Sequence, residues 1–217
     1  MIDLKLSRRG GPLNVLCLGA HCDDIEIGCG GSVLKLIESN RSTAFTWVVL
    51  SSDEKRKREA EASAAIFLAG ASRANIMITA FRDGFFPFVG GDIKDYFESL
   101  KRTLHPDLIF THYRSDLHQD HRVVSDLTWN TFRDHFILEY EVPKYDGDLG
   151  SPNVFVHLNE HHCRTKIATI VAQFKSQRGN QWFTEETFRA LLRLRGIESN
   201  APSQYAEAFY GRKQVLV

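Results

Sequence analysis

Two short runs of polar residues carry side chains that could bind a metal ion. The first, residues 20–26, reads AHCDDIE and includes His21, Asp23 and Asp24. An imidazole and a carboxylate three residues apart on a turn, as in His21 and Asp24, can converge on one divalent ion, and nitrogen with oxygen donors suits zinc. The neighbouring carboxylate of Asp23 would then remain free to accept a proton. This run therefore predicts part of a metal site with a base beside it.

The second run, residues 116–121, reads DLHQDH and contains His118, Asp120 and His121. If the two runs are neighbours in space, His121 completes a set of two histidines and one carboxylate, which leaves open positions for water and a substrate carbonyl. His118 could then stabilise or protonate a tetrahedral intermediate. Asp120 suits a hydrogen bond to the remaining ring nitrogen of a ligand histidine. Such a set is typical of a catalytic rather than a structural metal site.

The elements around these runs would bring them to one place. Short β-rich runs alternate with segments of helical period, which predicts an α/β fold in three layers, with a mostly parallel sheet between helices. The predicted strands cover residues 14–19, 45–50, 76–79 and 108–111, and the predicted helices cover residues 31–38, 56–68, 96–104 and 167–174. Ligands bind beyond the carboxyl ends of the strands in such sheets. Because each polar run follows a predicted strand, we expect both at that edge.

Length and composition limit the class of protein. With 217 residues and 43% apolar residues, the chain can bury one core, and we predict a single domain over residues 1–217. Its 27 basic and 27 acidic residues balance, so no general field would attract nucleic acid or an anionic membrane. The apolar run 13–20 is too short for a membrane span. The four cysteines form no C-x-x-C pair, which favours a cytoplasmic protein, and a homo-oligomer stays open.

The two runs also carry a family resemblance. AHCDDIE, with the glycines Gly28, Gly30 and Gly31 behind it, and HQDH at 118–121 resemble the two signature motifs of the PIG-L/LmbE-like N-acetylglucosaminyl deacetylases. The later segments FKSQ and YAEAF are similar to the family as well, so the resemblance covers the whole chain. Members of this family remove acetyl groups from N-acetylglucosamine-containing lipids, thiol precursors, antibiotics and chitin-type oligosaccharides. They usually do so with zinc on a Rossmann-like fold.

The resemblance implies a role for each motif residue. It implies that His21, Asp24 and His121 bind the metal, that Asp23 is the general base, and that His118 assists the oxyanion or the leaving amine. The chemistry of the residues alone predicts the same metal set and the same base.

Shorter matches imply two substrate contacts. Arg58, in REAE, and Asp83, in FRDG, fall where family members place residues that contact the substrate, so both are expected to hold the sugar. One residue departs from the family, which commonly has proline between the first histidine and the aspartate pair. This chain has Cys22 there, which leaves the turn freer and puts a thiol near the metal.

The expected activity is hydrolysis of the acetamide of an N-acetyl sugar, or of a related small molecule, to a free amine and acetate. Zinc is the expected cofactor and Fe²⁺ the alternative, because imidazole and carboxylate ligands suit both. Two other functions stay open: an amidase acting on another acylated metabolite such as a thiol conjugate, and a non-catalytic Rossmann-like protein that binds a nucleotide or a sugar. The G-x-G-G spacing differs from a dinucleotide-binding loop, so we interpret these glycines as close packing at a helix start.

Three further segments allow more than one interpretation. Residues 140–152 contain Pro143 and the Asp146-Gly147 turn pair, which predicts a long ordered loop of the kind that often covers a site. The aromatic run 85–88 could stack on a sugar, although burial in the core is favoured. His161 and His162 are adjacent, and adjacent residues on a helix point in different directions, which favours surface or helix-start histidines over a metal pair.

Overall fold

The structure, a computed structural model, describes residue 6 and residues 11–215. Its strands and helices alternate along most of the chain. The strands are β1 (Asn14–Gly19), β2 (Ala44–Val49), β3 (Arg73–Ile78), β4 (Leu108–His112), β5 (Phe136–Tyr140), β6 (Val154–Leu158) and β7 (Tyr205–Gly211). The α-helices are α1 (Asp24–Ser39), α2 (Glu54–Phe67), α3 (Gly90–Thr103), α4 (Gln119–Thr131), α5 (Glu160–Gln173) and α6 (Glu185–Glu198). Single 3-10 turns lie at Phe86–Phe88 and Lys175–Gln177.

The strands form one sheet in the order β3-β2-β1-β4-β5-β7-β6. Strands β1 to β5 are parallel to one another, whereas β7 runs antiparallel to both β5 and β6. The predicted mostly parallel α/β sheet is therefore confirmed. The antiparallel pair was not predicted, because nothing in the sequence reports the direction in which a strand enters the sheet.

The core lies on both faces of the sheet. Side chains alternate along a strand, so Val15 and Cys17 of β1 pack in one apolar cluster, and Leu16 and Leu18 pack in another. Helices α1, α2, α5 and α6 supply buried residues to the first cluster, whereas α3 and α4 supply them to the second. The three layers follow from this arrangement. No helix in the described part of the chain is both long and apolar enough to cross a bilayer.

Helix α1 begins at Asp24, so the predicted start at Gly31 is wrong. Gly28 and Gly31 lie inside the helix, where glycine is intrinsically unfavourable. Packing explains them, because a Cβ atom on Gly28 would collide with the Tyr140 ring, and one on Gly31 would collide with Leu158. The glycines thus serve close packing, as the sequence indicates, but against the sheet along the helix rather than at its start.

The strand order decides which loops meet. Strands β1 and β4 are neighbours, with Cys17 opposite Phe110, and β5 follows on the other side of β4. The two polar runs follow β1 and β4, and residues 141–153 follow β5. Since these strands are parallel, all three segments leave the sheet at the same edge.

Candidate metal centre and active site

Three predicted ligand groups converge at this edge. His21 Nδ1 lies 3.2 Å from His121 Nε2 and 3.4 Å from Asp24 Oδ2, and His121 Nε2 lies 3.5 Å from Asp24 Oδ1. All three side chains are buried. Two ligand atoms that each lie about 2.1 Å from a tetrahedral zinc ion are about 3.4 Å apart. The three groups therefore have the mutual spacing of ligands that share one ion.

Local structure holds Asp24 and His121 in place. Asp24 is the first residue of α1, and its Oδ2 accepts a 2.6 Å hydrogen bond from the backbone N–H of His21, which closes the turn after β1. His121 lies in the first turn of α4, which follows β4. Its Nδ1 donates to Asp116 Oδ2 at 2.9 Å. Because Nδ1 then carries the proton, the lone pair of Nε2 is free to face the ion.

Asp120 contacts a ligand histidine from outside the cluster. Its Oδ2 lies 3.3 Å from His21 Nε2 and accepts a 2.7 Å hydrogen bond from the Gly84 N–H, while its Oδ1 accepts one from the Phe86 N–H at 3.1 Å. Asp83 Oδ1 also lies 3.0 Å from His21 Nε2. His21 thus directs Nδ1 toward the other two ligands and Nε2 toward the two carboxylates.

His112 is a site residue that sequence reasoning missed. It is fully buried at the end of β4, its Nε2 lies 3.2 Å from Asp24 Oδ2, and its ring stacks on that of His121 at 3.9 Å. The backbone N–H of Ala20 donates to this Nε2 at 3.0 Å. Asp24, His112 and His121 lie close enough to share an ion, but this hydrogen bond engages the Nε2 lone pair of His112, which makes His112 a weaker candidate ligand than His21. The predicted strand ends one residue earlier, at Thr111, so the sequence offered no signal for this histidine.

The charges around the cluster favour binding of a divalent cation. In the part of the chain that the structure describes, five carboxylates but only two permanently charged basic side chains, Arg56 and Lys144, form ion pairs at the site. The carboxylates belong to Asp23, Asp24, Asp83, Asp116 and Asp120. Burial lowers the pKa of His21, but the surrounding carboxylates outweigh burial and raise that pKa well above its usual value. A divalent cation would neutralise the same excess of negative charge, so the donor set fits zinc or iron in both spacing and charge.

Asp23 stands beside the ligands but makes a different contact. Its Oδ1 pairs with Arg56 Nη2 at 3.0 Å. Burial raises the pKa of Asp23 to about 6, against the opposing effect of the Arg56 guanidinium. Arg56 Nη1 also lies 4.0 Å from Asp83 Oδ2, and the Asp83 side chain is 60% exposed. Asp23, Arg56 and Asp83 therefore form one side of the site.

The structure places Arg56, and not the predicted Arg58, beside the candidate ligands, and contact of Arg58 with a substrate stays a prediction. Arg58 is exposed, whereas Arg56 contacts Asp23. Both residues lie on α2, where positions two residues apart differ by about 200° around the helix axis. Only one of the two can face the site, and in the structure that residue is Arg56.

His118 lies on the open side of the ligand set. It caps the N-terminus of α4, where its Nδ1 accepts a 3.3 Å hydrogen bond from the Asp120 N–H. Its ring centroid lies 4.9 Å from that of His21 and 4.6 Å from that of His121. Burial, with a contribution from His21, lowers its pKa. A neutral ring that accepts at Nδ1 carries its proton on Nε2, so His118 can act as a hydrogen-bond donor.

Comparison with known proteins agrees with this geometry. The family model described as PIG-L, GlcNAc-PI de-N-acetylase, matches residues 16–132, which is more than half of the chain and includes every candidate ligand named above. The chain belongs to the PIG-L family. The predicted family resemblance is thus confirmed.

Individual relatives are distant in sequence. The uncharacterized deacetylase YaiS of Escherichia coli K12 is 26% identical over 174 residues, which cover 72% of this chain and 88% of YaiS. The N,N'-diacetylchitobiose deacetylase of Pyrococcus horikoshii superposes with a TM-score of 0.68 at 22% identity, over 92% of this chain and 84% of that one. GalB, the 4-carboxy-2-hydroxymuconate hydratase of Pseudomonas putida KT2440, gives 0.71 at 17%, over 94% and 98%. Because a hydratase shares the fold, these structures show the fold alone.

Cys22, where this PIG-L chain departs from the family's usual proline, does not join the ligands. Its thiol is buried and donates to the Ser51 carbonyl at 3.4 Å. Burial raises the pKa of Cys22 to about 12. The thiol therefore stays protonated and directed away from the metal ligands.

The predictions for the aromatic run 85–88 and for the two adjacent histidines are each correct in part for this PIG-L chain. Phe86 is fully buried, as favoured, but Phe85 and Phe88 are 36% and 78% exposed. His161 is exposed, whereas His162 is buried and pairs with a glutamate on α1, Glu38, at 2.7 Å. No group of three metal-binding side chains found in the described part of the chain includes either histidine.

Proposed function

We propose that this chain is a zinc-dependent N-deacetylase that hydrolyses the acetamide of an N-acetyl sugar, or of a related small molecule, to a free amine and acetate. The observation that carries the proposal is the convergence of His21 Nδ1, Asp24 and His121 Nε2 within 3.2–3.5 Å, with Asp23 next in sequence to one of these ligands. Membership of a de-N-acetylase family supports the reaction class. A structural neighbour that acts on diacetylchitobiose supports a sugar substrate.

Each side chain around the candidate metal site has its own role in the proposed hydrolysis. A bound zinc or iron ion, held by His21, Asp24 and His121, would supply Lewis-acid polarisation of the acetamide carbonyl. Asp23 accepts a proton from the attacking water, a task that suits a carboxylate whose pKa lies about 6. The hydroxyl group of that water bonds to the acyl carbon, and the C–N bond then breaks. The Nε2–H of His118 donates a hydrogen bond to the acyl oxygen as negative charge develops there, and the proton taken up by Asp23 passes to the departing nitrogen, which leaves acetate and a free amine.

The mouth of the site offers both polar and apolar contacts to the rest of the substrate. Asp83 and Arg56 supply a carboxylate and a guanidinium on one side. Half of the large apolar side chains that are exposed in the described part of the chain lie in the three loops that follow β3, β4 and β5. These are Phe85, Phe88, Leu117, Tyr145 and Leu149. Exposed apolar surface concentrated at one place is typical of a binding site, so we infer a substrate that packs an apolar face between these loops.

A substrate panel tests this function. Zinc-loaded and iron(II)-loaded protein would be incubated with N-acetylglucosamine, N,N'-diacetylchitobiose and an acylated thiol conjugate, and released acetate and amine would be measured before and after chelation. We expect metal-dependent release from at least one N-acetyl sugar. Release from the thiol conjugate alone would favour the amidase alternative. Sugar binding without release from any substrate, with or without metal, would favour the non-catalytic protein.

Exchanging two arginines on α2 tests which one contacts the substrate side of the site. Hydrogen bonds to charged groups contribute about 1.5–3 kcal/mol, so Arg56→Met should lower kcat/KM about 10- to 100-fold. Arg58→Met removes the same charge from an exposed position on the same helix and should change kcat/KM less than about twofold. Steady-state kinetics on the best substrate of the panel measures both. Equal losses in the two variants would contradict the assignment of Arg56.

A further inference from the structure

Lys144 is a buried basic side chain beside the candidate metal centre, and the proposed reaction gives it no role. It lies in the loop of residues 141–153, and its ammonium group is 3.0 Å from Asp116 Oδ2. The same oxygen accepts the hydrogen bond from His121 Nδ1 at 2.9 Å. The Lys144 and Asp116 side chains are 9% and 2% exposed, so little water can screen their attraction. One carboxylate oxygen thus joins the loop to a metal ligand.

Lys144 is one of three groups that hold the Asp116 carboxylate. Its Oδ1 accepts a 2.8 Å hydrogen bond from the His118 N–H, and its Oδ2 receives both the imidazole and the ammonium group. A buried carboxylate that loses its charged partner is strongly destabilised, and it relaxes toward water when it can. Without Lys144, Asp116 would therefore hold the His121 ring less firmly.

Lys144 is itself fixed by the loop. Its Nζ lies 2.5 Å from Asp148 Oδ2, which also accepts a 2.7 Å hydrogen bond from the Leu117 N–H. The two ends of the loop meet where Glu141 accepts a 3.0 Å hydrogen bond from the Gly150 N–H. The loop therefore has to be folded for Lys144 to reach Asp116, and a fixed Asp116 in turn holds the loop.

From these contacts we propose that Lys144 is a positioning residue that couples the loop of residues 141–153 to the metal centre. Through Asp116 it orients His121, and so it raises the affinity for the metal. The coupling is reciprocal, because a ligand that favours one arrangement of His121 must favour the loop conformation that supports it. The proposal rests on the proposed function, since it takes the His21, Asp24 and His121 cluster to bind zinc.

Zinc affinity and loop dynamics test this proposal without any assay of activity. Zinc dissociation constants would be measured by competition with a chromophoric chelator for wild type, Lys144→Met and Lys144→Arg. Loss of a partner outside the ligand set commonly weakens metal binding 10- to 100-fold, so we expect a loss of about tenfold in Lys144→Met and partial recovery in Lys144→Arg. Zinc should also slow amide hydrogen exchange of residues 144–150 in wild type, and it should slow it less in Lys144→Met.

Lys94→Met is the matched control. Lys94 also makes several polar contacts, with Glu98 and Thr131 among its partners, but it lies on α3 away from the metal centre. Its loss should leave zinc affinity unchanged.

Three outcomes overturn the proposal in different ways. A folded Lys144→Met that binds zinc as wild type does would overturn it alone. So would loop exchange in wild type that zinc does not alter, a result that needs no variant to fold. Wild type that binds no zinc would overturn the proposed function together with it.

Discussion

Asp23→Asn is expected to lower kcat about 10²- to 10⁴-fold, the usual contribution of a general base. The amide is nearly the same size as the carboxylate and can still accept a hydrogen bond from Arg56, but it cannot take a proton from the attacking water. Asp23 is outside the ligand set, since its Oδ1 pairs with Arg56 at 3.0 Å. Zinc content should therefore stay at the wild-type level, and kcat with metal analysis on one preparation checks both statements.

The neighbouring carboxylate provides the control. Asp24→Asn alters a ligand in a side chain of the same size and should lose zinc as well as activity. Two adjacent aspartates would thus separate metal binding from proton transfer. Loss of zinc from Asp23→Asn, or full activity in that variant, would contradict the roles given to them.

His121→Ala should lose both zinc and acetate release. Structural zinc sites bind with apparent free energies of about 10–16 kcal/mol, so one of three protein ligands accounts for at least about 3 kcal/mol, or about 10²-fold in affinity. Zinc per chain after dialysis against a weak chelator measures the loss. His161→Ala removes an exposed histidine on α5 and should keep wild-type zinc content. If His121→Ala retains zinc, the two polar runs do not share one ion.

The sequence was sufficient for the parts of the site that are local. His21 and Asp24 lie on one turn, and His118, Asp120 and His121 lie at the start of one helix, so their spacing alone indicates which of them can act together. Alternating strands and helices then place the two runs at one edge of a parallel sheet. Proximity of the runs followed from general rules of α/β folds and did not need knowledge of the packing.

The site residues whose positions depend on packing could not be predicted from the sequence. Arg56 and Arg58 are equivalent by residue type, and only the rotation of α2 against the sheet decides between them. His112 lies one residue beyond the predicted strand end, and strand boundaries are set by hydrogen bonds to neighbouring strands. Lys144 looks like an ordinary loop residue until the fold brings it to Asp116, across 28 positions of the chain.

During synthesis of the chain, both metal motifs are made before the residues that hold the neighbouring loop in place. A ribosome adds residues from the N-terminus, so both polar runs are complete once residue 121 has been made. The loop is held from its far side by later residues, because Glu141 pairs with Arg195 at 2.7 Å and accepts a 2.8 Å hydrogen bond from Tyr210. Strand β7, which carries Tyr210, also has to enter between β5 and β6. A growing chain therefore contains its candidate metal ligands well before the loop of residues 141–153 can fold beside them.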